Sequence, residues 1–219
     1  MSWLSLRQEQ EQKIRQEAML GMMLELDLML EGHFDFGNGW HGTTYLNAHP
    51  LLDDPYRIYQ LTEELKGVIP IDIREKVQLV AGPITGGVLL AKDMAVALDR
   101  DRKREEKRVR LAPVYKADGQ LALRTHYRKL IAGDFGDLKG MNVLVVDDVC
   151  NTGNTLRATA KLIEEAGGHV LGSAVLYDRL ATTKDLENHF FLGQVDIDPE
   201  LVKADKCLCN RIHLPITQF

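Results

Sequence analysis

The chain has 219 residues, of which 45% are hydrophobic and 27% are charged, and its formal net charge is −5. This length and composition are enough for one large domain with a full core, or for one domain with an appendage. The negative charge argues against general nucleic-acid binding. Because only three cysteines occur, we expect a reduced, cytoplasmic chain without a disulfide framework.

Residues 1–30 begin with alternating charges and then become rich in Met and Leu. Most of these residues are strong helix formers, so the segment is predicted to form an amino-terminal helical extension that packs on the main domain or on a partner subunit. Glu25 and Asp27 interrupt the apolar stretch. A signal peptide or a membrane span is therefore not expected, and neither is a membrane partner.

Residues 31–47 combine a glycine-rich turn with aromatic rings and imidazoles on both sides. Two interpretations stay open, because such rings can close over a flat heterocycle or simply pack in a hairpin. The next segment, residues 53–65, has apolar residues at helical spacing. Asp53 or Asp54 is a suitable helix cap there, and Pro55 suits the first turn.

A buried strand is predicted at residues 77–81, and it leads into a glycine-rich turn at residues 82–87. The apolar residues that follow have helical spacing, so the turn joins a strand to a helix. The turn matches neither the dinucleotide-binding fingerprint nor the P-loop. By itself it is a weak indication of phosphate binding.

The run at residues 100–110 is dense in basic residues, and such runs are usually solvated surface. A strand is predicted at residues 111–115. Several cations surround the following Asp118-Gly119 turn, namely Lys116, Arg124, His126, Arg128 and Lys129. A hairpin loop with this charge can fold over a polyphosphate and neutralise its developing negative charge.

Residues 143–156 contain the most informative pattern of the chain. An apolar run typical of a central parallel strand ends in two acids, Asp147 and Asp148, and a polar loop then opens a helix. The amides at the start of a helix bind phosphate well, whereas adjacent carboxylates suit hydroxyl groups or a cation. The pattern therefore predicts a site for a sugar with vicinal hydroxyls and a 5′-phosphate.

The remaining elements continue the alternation. We predict a strand at residues 169–177 that ends before Asp178-Arg179, a short helix near Leu186 and a strand at residues 190–195. Alternating strands and helices indicate an α/β fold with a mainly parallel central sheet and helices on both faces. The pair Cys207 and Cys209 is separated by one residue, too few for the usual zinc-knuckle spacing, so a metal site there is not expected.

The strand, twin acids and loop at residues 143–156 resemble the phosphoribosyl pyrophosphate (PRPP) motif of type I phosphoribosyltransferases. The turn at residues 82–87 resembles the pyrophosphate loop of the orotate branch. Residues 31–47 resemble the amino-terminal hood of that branch, and Asp178-Arg179 is similar to its base-binding pair. The resemblance implies a hood at residues 31–50, a core at about residues 51–195 and a tail at residues 196–219, which together form one phosphoribosyltransferase domain over residues 31–219.

The resemblance also implies a role for each site residue. The ribose and 5′-phosphate of PRPP would be bound by Asp147, Asp148, Asn151, Thr152, Gly153, Asn154 and Thr155. The pyrophosphate would be bound by Gly82, Pro83, Thr85, Gly86, Gly87 and Lys116. The base would contact Tyr45, Leu46 and Arg179. The catalytic residues would be Lys116, Arg124, Asp147 and Asp148.

The implied activity is Mg²⁺-dependent transfer of the 5-phosphoribosyl group from PRPP to orotate by a homodimer, with the metal held through PRPP and water. Two alternatives stay open. One is the same transfer to another base, and the other is a regulator that binds PRPP without turnover. The first 30 residues are too short for a winged DNA-binding domain, which counts against the regulator.

Overall fold

A computed structural model describes most of the chain, namely residues 3–36, 39–84, 86–103, 105, 107–117, 120–123, 138–179, 186–195, 202–207, 209 and 216–217. The helices are α1 (Trp3–Glu25), α2 (His49–Leu52), α3 (Pro55–Val68), α4 (Ile71–Arg74), α5 (Gly86–Arg100) and α6 (Asn154–Glu165). The strands are β1 (Met29–Asp35), β2 (Trp40–Leu46), β3 (Leu79–Pro83), β4 (Arg110–Ala117), β5 (Gln120–Leu123), β6 (Asn142–Cys150), β7 (His169–Asp178), β8 (His189–Gln194) and β9 (Val202–Lys203).

The main sheet has six strands in the order β5-β4-β3-β6-β7-β8. Five of them are parallel, and β5 lies antiparallel on the edge beside β4. Strand β6 therefore lies in the interior of the sheet, between β3 and β7. This arrangement confirms the predicted α/β fold with a mainly parallel sheet.

Both faces of the sheet are covered, because side chains alternate between the two sides of each strand. Val80, Leu144 and Leu176 pack in the core that also contains residues of α3 and α5. Their neighbours Val143 and Val145 pack on the opposite face against residues of α6. Continuous apolar runs are the pattern expected for strands buried on both faces.

Helix α1 packs on the β8 side of the main sheet. Its Met19 is buried, and the carbonyl of Met19 accepts a 2.8 Å hydrogen bond from the Tyr177 hydroxyl. The backbone N–H of Gln194 donates to Gln16 Oε1 at 2.6 Å. Among the described residues, no helix has the length and apolar character needed to cross a membrane.

The predicted helix at residues 53–65 corresponds to α3. Asp54 is its cap, since its Oδ1 accepts hydrogen bonds from the backbone N–H groups of Tyr56 and Arg57 at 3.0 and 3.2 Å. The short helix predicted near Leu186 does not include residues 186–188, and residues 180–185 lie outside the described part of the chain. Asn188 has a φ of 48° and turns the chain directly into β8.

A second, smaller sheet has the order β1-β2-β9. Strands β1 and β2 form an antiparallel hairpin with an irregular register between Glu31 and Phe34. The carboxyl-terminal segment adds to this sheet, because Trp40 and His41 pair with Lys203 and Val202. Residues from both ends of the chain thus meet in the hood.

Candidate active site

Asp147 and Asp148 lie at the carboxyl end of the interior strand β6, as the sequence predicts. Asp147 Oδ1 accepts a 3.0 Å hydrogen bond from the backbone N–H of Asp148. Asp148 Oδ1 accepts a 2.8 Å hydrogen bond from the N–H of Val149. Asp147 is only 8% exposed, and within the described residues neither carboxylate forms an ion pair. The end of the strand therefore holds two carboxylates that have no ion-pair partner in the part of the chain that the structure describes.

Burial raises the pKa of both carboxyls. For Asp147 the pKa lies well above its usual value, because burial and the negative charge of Asp148 both disfavour ionisation. For Asp148 burial raises the pKa, while hydrogen bonds from Val149 and Asp147 and the charge of His49 lower it in part. A ligand that supplies hydroxyl donors or a cation favours the ionised form of both carboxyls. The binding of such a ligand should therefore strengthen as the pH rises and the two carboxyls ionise.

The glycine-rich turn at residues 82–87 lies directly against the two acids. A Cβ built on Gly86 would overlap the Asp148 carboxylate, and one built on Gly87 would lie 2.7 Å from Asp147 Oδ1. Helix α5 begins at Gly86, so the positive end of its dipole faces the acids. The structure thus brings together two segments that are far apart in the sequence.

Replacing Gly86 by Ala should reduce the activity of this site by roughly tenfold or more, because the added methyl displaces the Asp148 carboxylate, and such overpacking costs about 1–3 kcal/mol. Steady-state kinetics and thermal unfolding would measure the effect. Gly67→Ala is the matched control, since a Cβ at Gly67 meets nothing within 4 Å. Unchanged kinetics in Gly86→Ala would contradict the role of this turn.

The loop between β6 and α6 has the geometry of a phosphate cradle. Gly153 adopts a φ of 74°, which favours glycine, and it immediately precedes α6. The Arg157 guanidinium donates a 2.8 Å hydrogen bond to the carbonyl of Thr152 and holds the loop in place. The first amides of a helix have no partner within that helix and attract anions. The loop is therefore suited to a terminal phosphate.

A cleft connects the loop with the acids. One part, of about 390 Å³, lies over the loop and is lined by Asp35, Phe36, Tyr45 and residues 149–156. A second part, of about 210 Å³, lies over the acids and the turn at residues 82–87. The two parts share Tyr45, Val149, Asn151 and Thr155. Their combined size is in the range of small-molecule sites.

The hood forms the roof of this cleft. Tyr45 stacks on Phe36 with ring centroids 6.1 Å apart. Burial raises the pKa of the Tyr45 hydroxyl, and the charges of Asp148 and Asp147 raise it further. Tyr45 thus remains a neutral hydroxyl that faces the acids. The aromatic pair offers a flat apolar surface beside a polar site.

Arg179 joins the hood to the loop between β6 and α6. Its guanidinium donates to the Thr44 carbonyl and Thr44 Oγ1, both at 3.2 Å, and to Asn151 Oδ1 at 3.3 Å. Its Cζ lies 5.4 Å from the centroid of the Phe36 ring. Arg179 is 2% exposed, so its guanidinium is buried between the hood and the loop.

The other predicted residues are placed as follows. Pro83 is buried at the end of β3, and Gly82 packs against the carbonyl of Gly87. Leu46 borders the smaller part of the cleft, but its side chain is buried in the core. Lys116 lies in β4 by its backbone. Thr85 and Arg124 lie outside the described residues, and their roles remain predictions.

Phe36 and His49 belong to the cleft but were not singled out from the sequence. Phe36 lies against Arg179, and His49 lines the cleft beside the acids. Phe36 was one of several aromatic residues in the glycine-rich segment. His49 follows that segment and carries no local signal, so only its spatial position identifies it.

Comparison with known proteins agrees with this geometry. The family "Phosphoribosyl transferase domain" matches residues 57–203. The chain is 36% identical over 163 residues to an orotate phosphoribosyltransferase of Novosphingobium aromaticivorans, covering 74% of this chain and 75% of the relative. It is 32% identical over 175 residues to an orotate phosphoribosyltransferase of Rhizorhabdus wittichii, covering 80% and 81% of the two chains.

Solved structures agree on the fold. The orotate phosphoribosyltransferase of Aeropyrum pernix matches with a TM-score of 0.57 at 22% identity, covering 80% of this chain and 93% of that chain. The adenine phosphoribosyltransferase of Thermoanaerobacter pseudethanolicus matches with a TM-score of 0.56 at 24% identity, covering 79% and 99% of the two chains. The parallel sheet and the twin acids define a type I phosphoribosyltransferase fold. The chain belongs to the phosphoribosyl transferase family.

Proposed function

We propose that this protein transfers the 5-phosphoribosyl group from PRPP to orotate, giving orotidine 5′-monophosphate and pyrophosphate. A ring nitrogen of orotate gives up its proton to solvent and forms the new bond to C1 of the sugar. The bond from C1 to the pyrophosphate oxygen breaks, and its electron pair leaves with pyrophosphate. The observation that carries the proposal is one cleft in which twin acids, a glycine-rich turn and a phosphate cradle adjoin.

The position of each segment suggests its role. The carboxylates of Asp147 and Asp148 would accept hydrogen bonds from the ribose hydroxyls, and residues 151–155 would hold the 5′-phosphate. Residues 82–87 would hold the pyrophosphate beside the acids. Lys116 and Arg124 would neutralise the charge that grows on the leaving group. Fixing the sugar between these groups aligns its C1 with the base.

The residues of the cleft fit a Mg²⁺ ion that is bound through PRPP. Mg²⁺ prefers oxygen ligands and usually keeps several waters. The Asp147 and Asp148 carboxylates offer such oxygens, and among the described residues no cation pairs with either one. When bound, the ion supplies positive charge to the pyrophosphate. The protein would then need no direct bond to the ion, because the two carboxylates would contact it through water.

The assignment of orotate rests on the named relatives and on the chemistry of the roof. Tyr45 and Phe36 provide a flat surface for a pyrimidine ring. The Arg179 guanidinium has the fork geometry that suits a carboxylate. One observation favours a different acceptor base. Both terminal nitrogens of Arg179 already donate to Thr44 and Asn151, so orotate would have to take over some of these bonds.

A base-panel assay tests the proposal. The protein is incubated with PRPP and Mg²⁺ together with orotate, uracil, adenine, guanine or xanthine, and pyrophosphate release is measured. We expect release with orotate alone. Release with another base would assign that base as the acceptor. PRPP binding without release from any base would identify a regulator.

We also propose that the protein works in the cytoplasm as a homodimer. Its three cysteines form no disulfide, which suits a reducing compartment. The basic loop after β4 is often contributed across a dimer in similar enzymes. Light scattering coupled to gel filtration would measure the mass, and a monomer at working concentration would contradict the assembly.

A further inference from the structure

Four side chains converge at the hood. His33, His41, Cys207 and Cys209, hereafter the Cys₂His₂ cluster, each offer one nitrogen or sulfur atom, and these atoms all lie within 4.8 Å of one another. His33 Nε2 lies 3.0 Å from His41 Nδ1. Cys207 Sγ lies 3.5 Å from His33 Nε2, and Cys209 Sγ lies 3.3 Å from His41 Nδ1.

These separations match the edges of a tetrahedral zinc site. With bonds of about 2.3 Å to sulfur and about 2.0–2.1 Å to nitrogen, a tetrahedron places two nitrogens about 3.3 Å apart and a nitrogen and a sulfur about 3.6 Å apart. The observed distances of 3.0, 3.3 and 3.5 Å lie close to these values. Two thiolates and two imidazoles are also a ligand set of structural zinc sites.

The fold brings the four residues together from opposite ends of the chain. His33 and His41 lie on the paired strands β1 and β2. Strand β9 pairs with β2, and a 3₁₀ helix (Ala204–Lys206) then places Cys207 beside the hairpin. The N–H of Ala204 donates to the Gly39 carbonyl at 2.7 Å and fixes this approach. The cluster is therefore positioned by backbone pairing.

The Asp35 carboxylate lies near the His41 ring, on the side away from the cluster. The ring nitrogen of His41 that faces away from the cluster, Nε2, lies 3.8 Å from Asp35 Oδ1. Histidines that bind a metal commonly direct their second nitrogen toward a carboxylate, which orients the ring. His41 itself is 8% exposed. These features are typical of a closed, preformed metal site.

We propose that the Cys₂His₂ cluster binds one Zn²⁺ through His33 Nε2, His41 Nδ1 and the thiolates of Cys207 and Cys209. Four protein ligands leave no open position, so the ion is structural and not catalytic. It ties the carboxyl-terminal segment to the hood. The sequence-based expectation of no metal site considered the spacing of the two cysteines alone, and the proposal departs from it.

The site also connects to the cleft. Asp35, which faces His41, and Phe36 both line the larger part of the cleft. A metal that fixes β1 would therefore fix the roof over the substrate. Loss of the ion should lower the unfolding temperature by several degrees, since metal binding at such sites contributes directly to folding.

Metal content tests the proposal without any substrate, so its failure is distinguishable from failure of the proposed function. The full chain is produced in zinc-supplemented medium, dialysed against metal-free buffer and analysed by mass spectrometry of the metal. We expect about one zinc per chain. The double variant Cys207→Ser/Cys209→Ser should hold less than a tenth of that amount. Wild-type protein without zinc would overturn the proposal.

Two matched controls fix the location. Cys150→Ser removes the third cysteine, which lies in a separate group with Asp178 and His189, and His169→Gln removes an exposed imidazole. Both should keep the metal. Loss of zinc in Cys150→Ser together with retention in the double variant would move the site to that other group and overturn the assignment.

A measurement on the wild-type chain covers the case in which the double variant does not fold. Chelation should make two thiols reactive toward a thiol reagent, and added Zn²⁺ should protect them again. Co²⁺ in place of Zn²⁺ should give tetrahedral d–d bands and a thiolate charge-transfer band. Thiols that stay fully reactive in the presence of Zn²⁺ would contradict the proposal.

Discussion

Asp148→Asn is expected to keep the fold and to weaken PRPP binding by about 10- to 100-fold, since hydrogen bonds to a charged group contribute about 1.5–3 kcal/mol. The amide has the shape of the carboxylate but lacks its charge and one acceptor oxygen. Calorimetric titration with PRPP and Mg²⁺ measures the affinity, and circular dichroism reports the fold. Asp53→Asn, at an exposed carboxyl before α3, is the matched control. Unchanged affinity in Asp148→Asn would contradict the ribose role.

For the stability of the ligand-free protein, the same two acids predict a pH dependence opposite to that of ligand binding. The pKa of Asp147 is raised in the folded state by burial and by Asp148, so the folded state favours the protonated carboxyl. Its stabilising contribution is complete below the unfolded pKa of about 3.9 and is lost as the pH rises through the folded pKa. The ligand-free protein should therefore lose stability as the pH rises from the unfolded pKa of Asp147 through its folded pKa.

Asp147→Asn should remove this loss, because the amide cannot ionise and its oxygen can still accept the hydrogen bond from the Asp148 N–H. Its unfolding temperature at neutral pH should exceed that of the wild type by several degrees, while its activity falls. Thermal unfolding across a pH series measures the difference. An Asp147→Asn variant that is less stable than the wild type at neutral pH would show that the buried charge is compensated in the folded state.

Arg179→Lys should raise the KM for orotate by roughly 10- to 100-fold and change PRPP affinity less. A lysine ammonium cannot bind a carboxylate with two parallel hydrogen bonds, which contribute about 1.5–3 kcal/mol each. It also cannot bridge Thr44 and Asn151 as the guanidinium does. Steady-state kinetics with each substrate varied in turn separates the two effects. Arg108→Lys is the control, since Arg108 pairs with Asp99 at the surface.

The outcome also distinguishes two roles of Arg179. If the side chain contacts the base, the KM for orotate rises while the unfolding temperature changes little. If it serves only to hold the hood on the loop, stability falls and the KM for both substrates rises together. In that case another group must bind the orotate carboxylate.

The fold could be predicted because its signals are local. The strands expected at residues 77–81, 111–115, 143–146, 169–177 and 190–195 correspond to β3, β4, β6, β7 and β8. Continuous apolar runs identify buried parallel strands, and the glycine-rich or acidic turns that follow them mark the edge where ligands bind. The predicted helix near Leu186 does not extend over the described residues 186–188, where a short turn without a repeating pattern leads into β8.

By itself, the sequence determined the strand, loop and helix at residues 143–156, the position of the twin acids and the resemblance to the family, because each depends on residues that are neighbours along the chain. Only the tertiary structure decided which distant residues meet. Strand order places Gly86 against Asp148, Arg179 reaches Thr44 in the hood, and pairing of β9 with β2 carries Cys207 to His33. Such contacts depend on strand register and on long connections, which leave no periodic pattern in the amino-acid sequence.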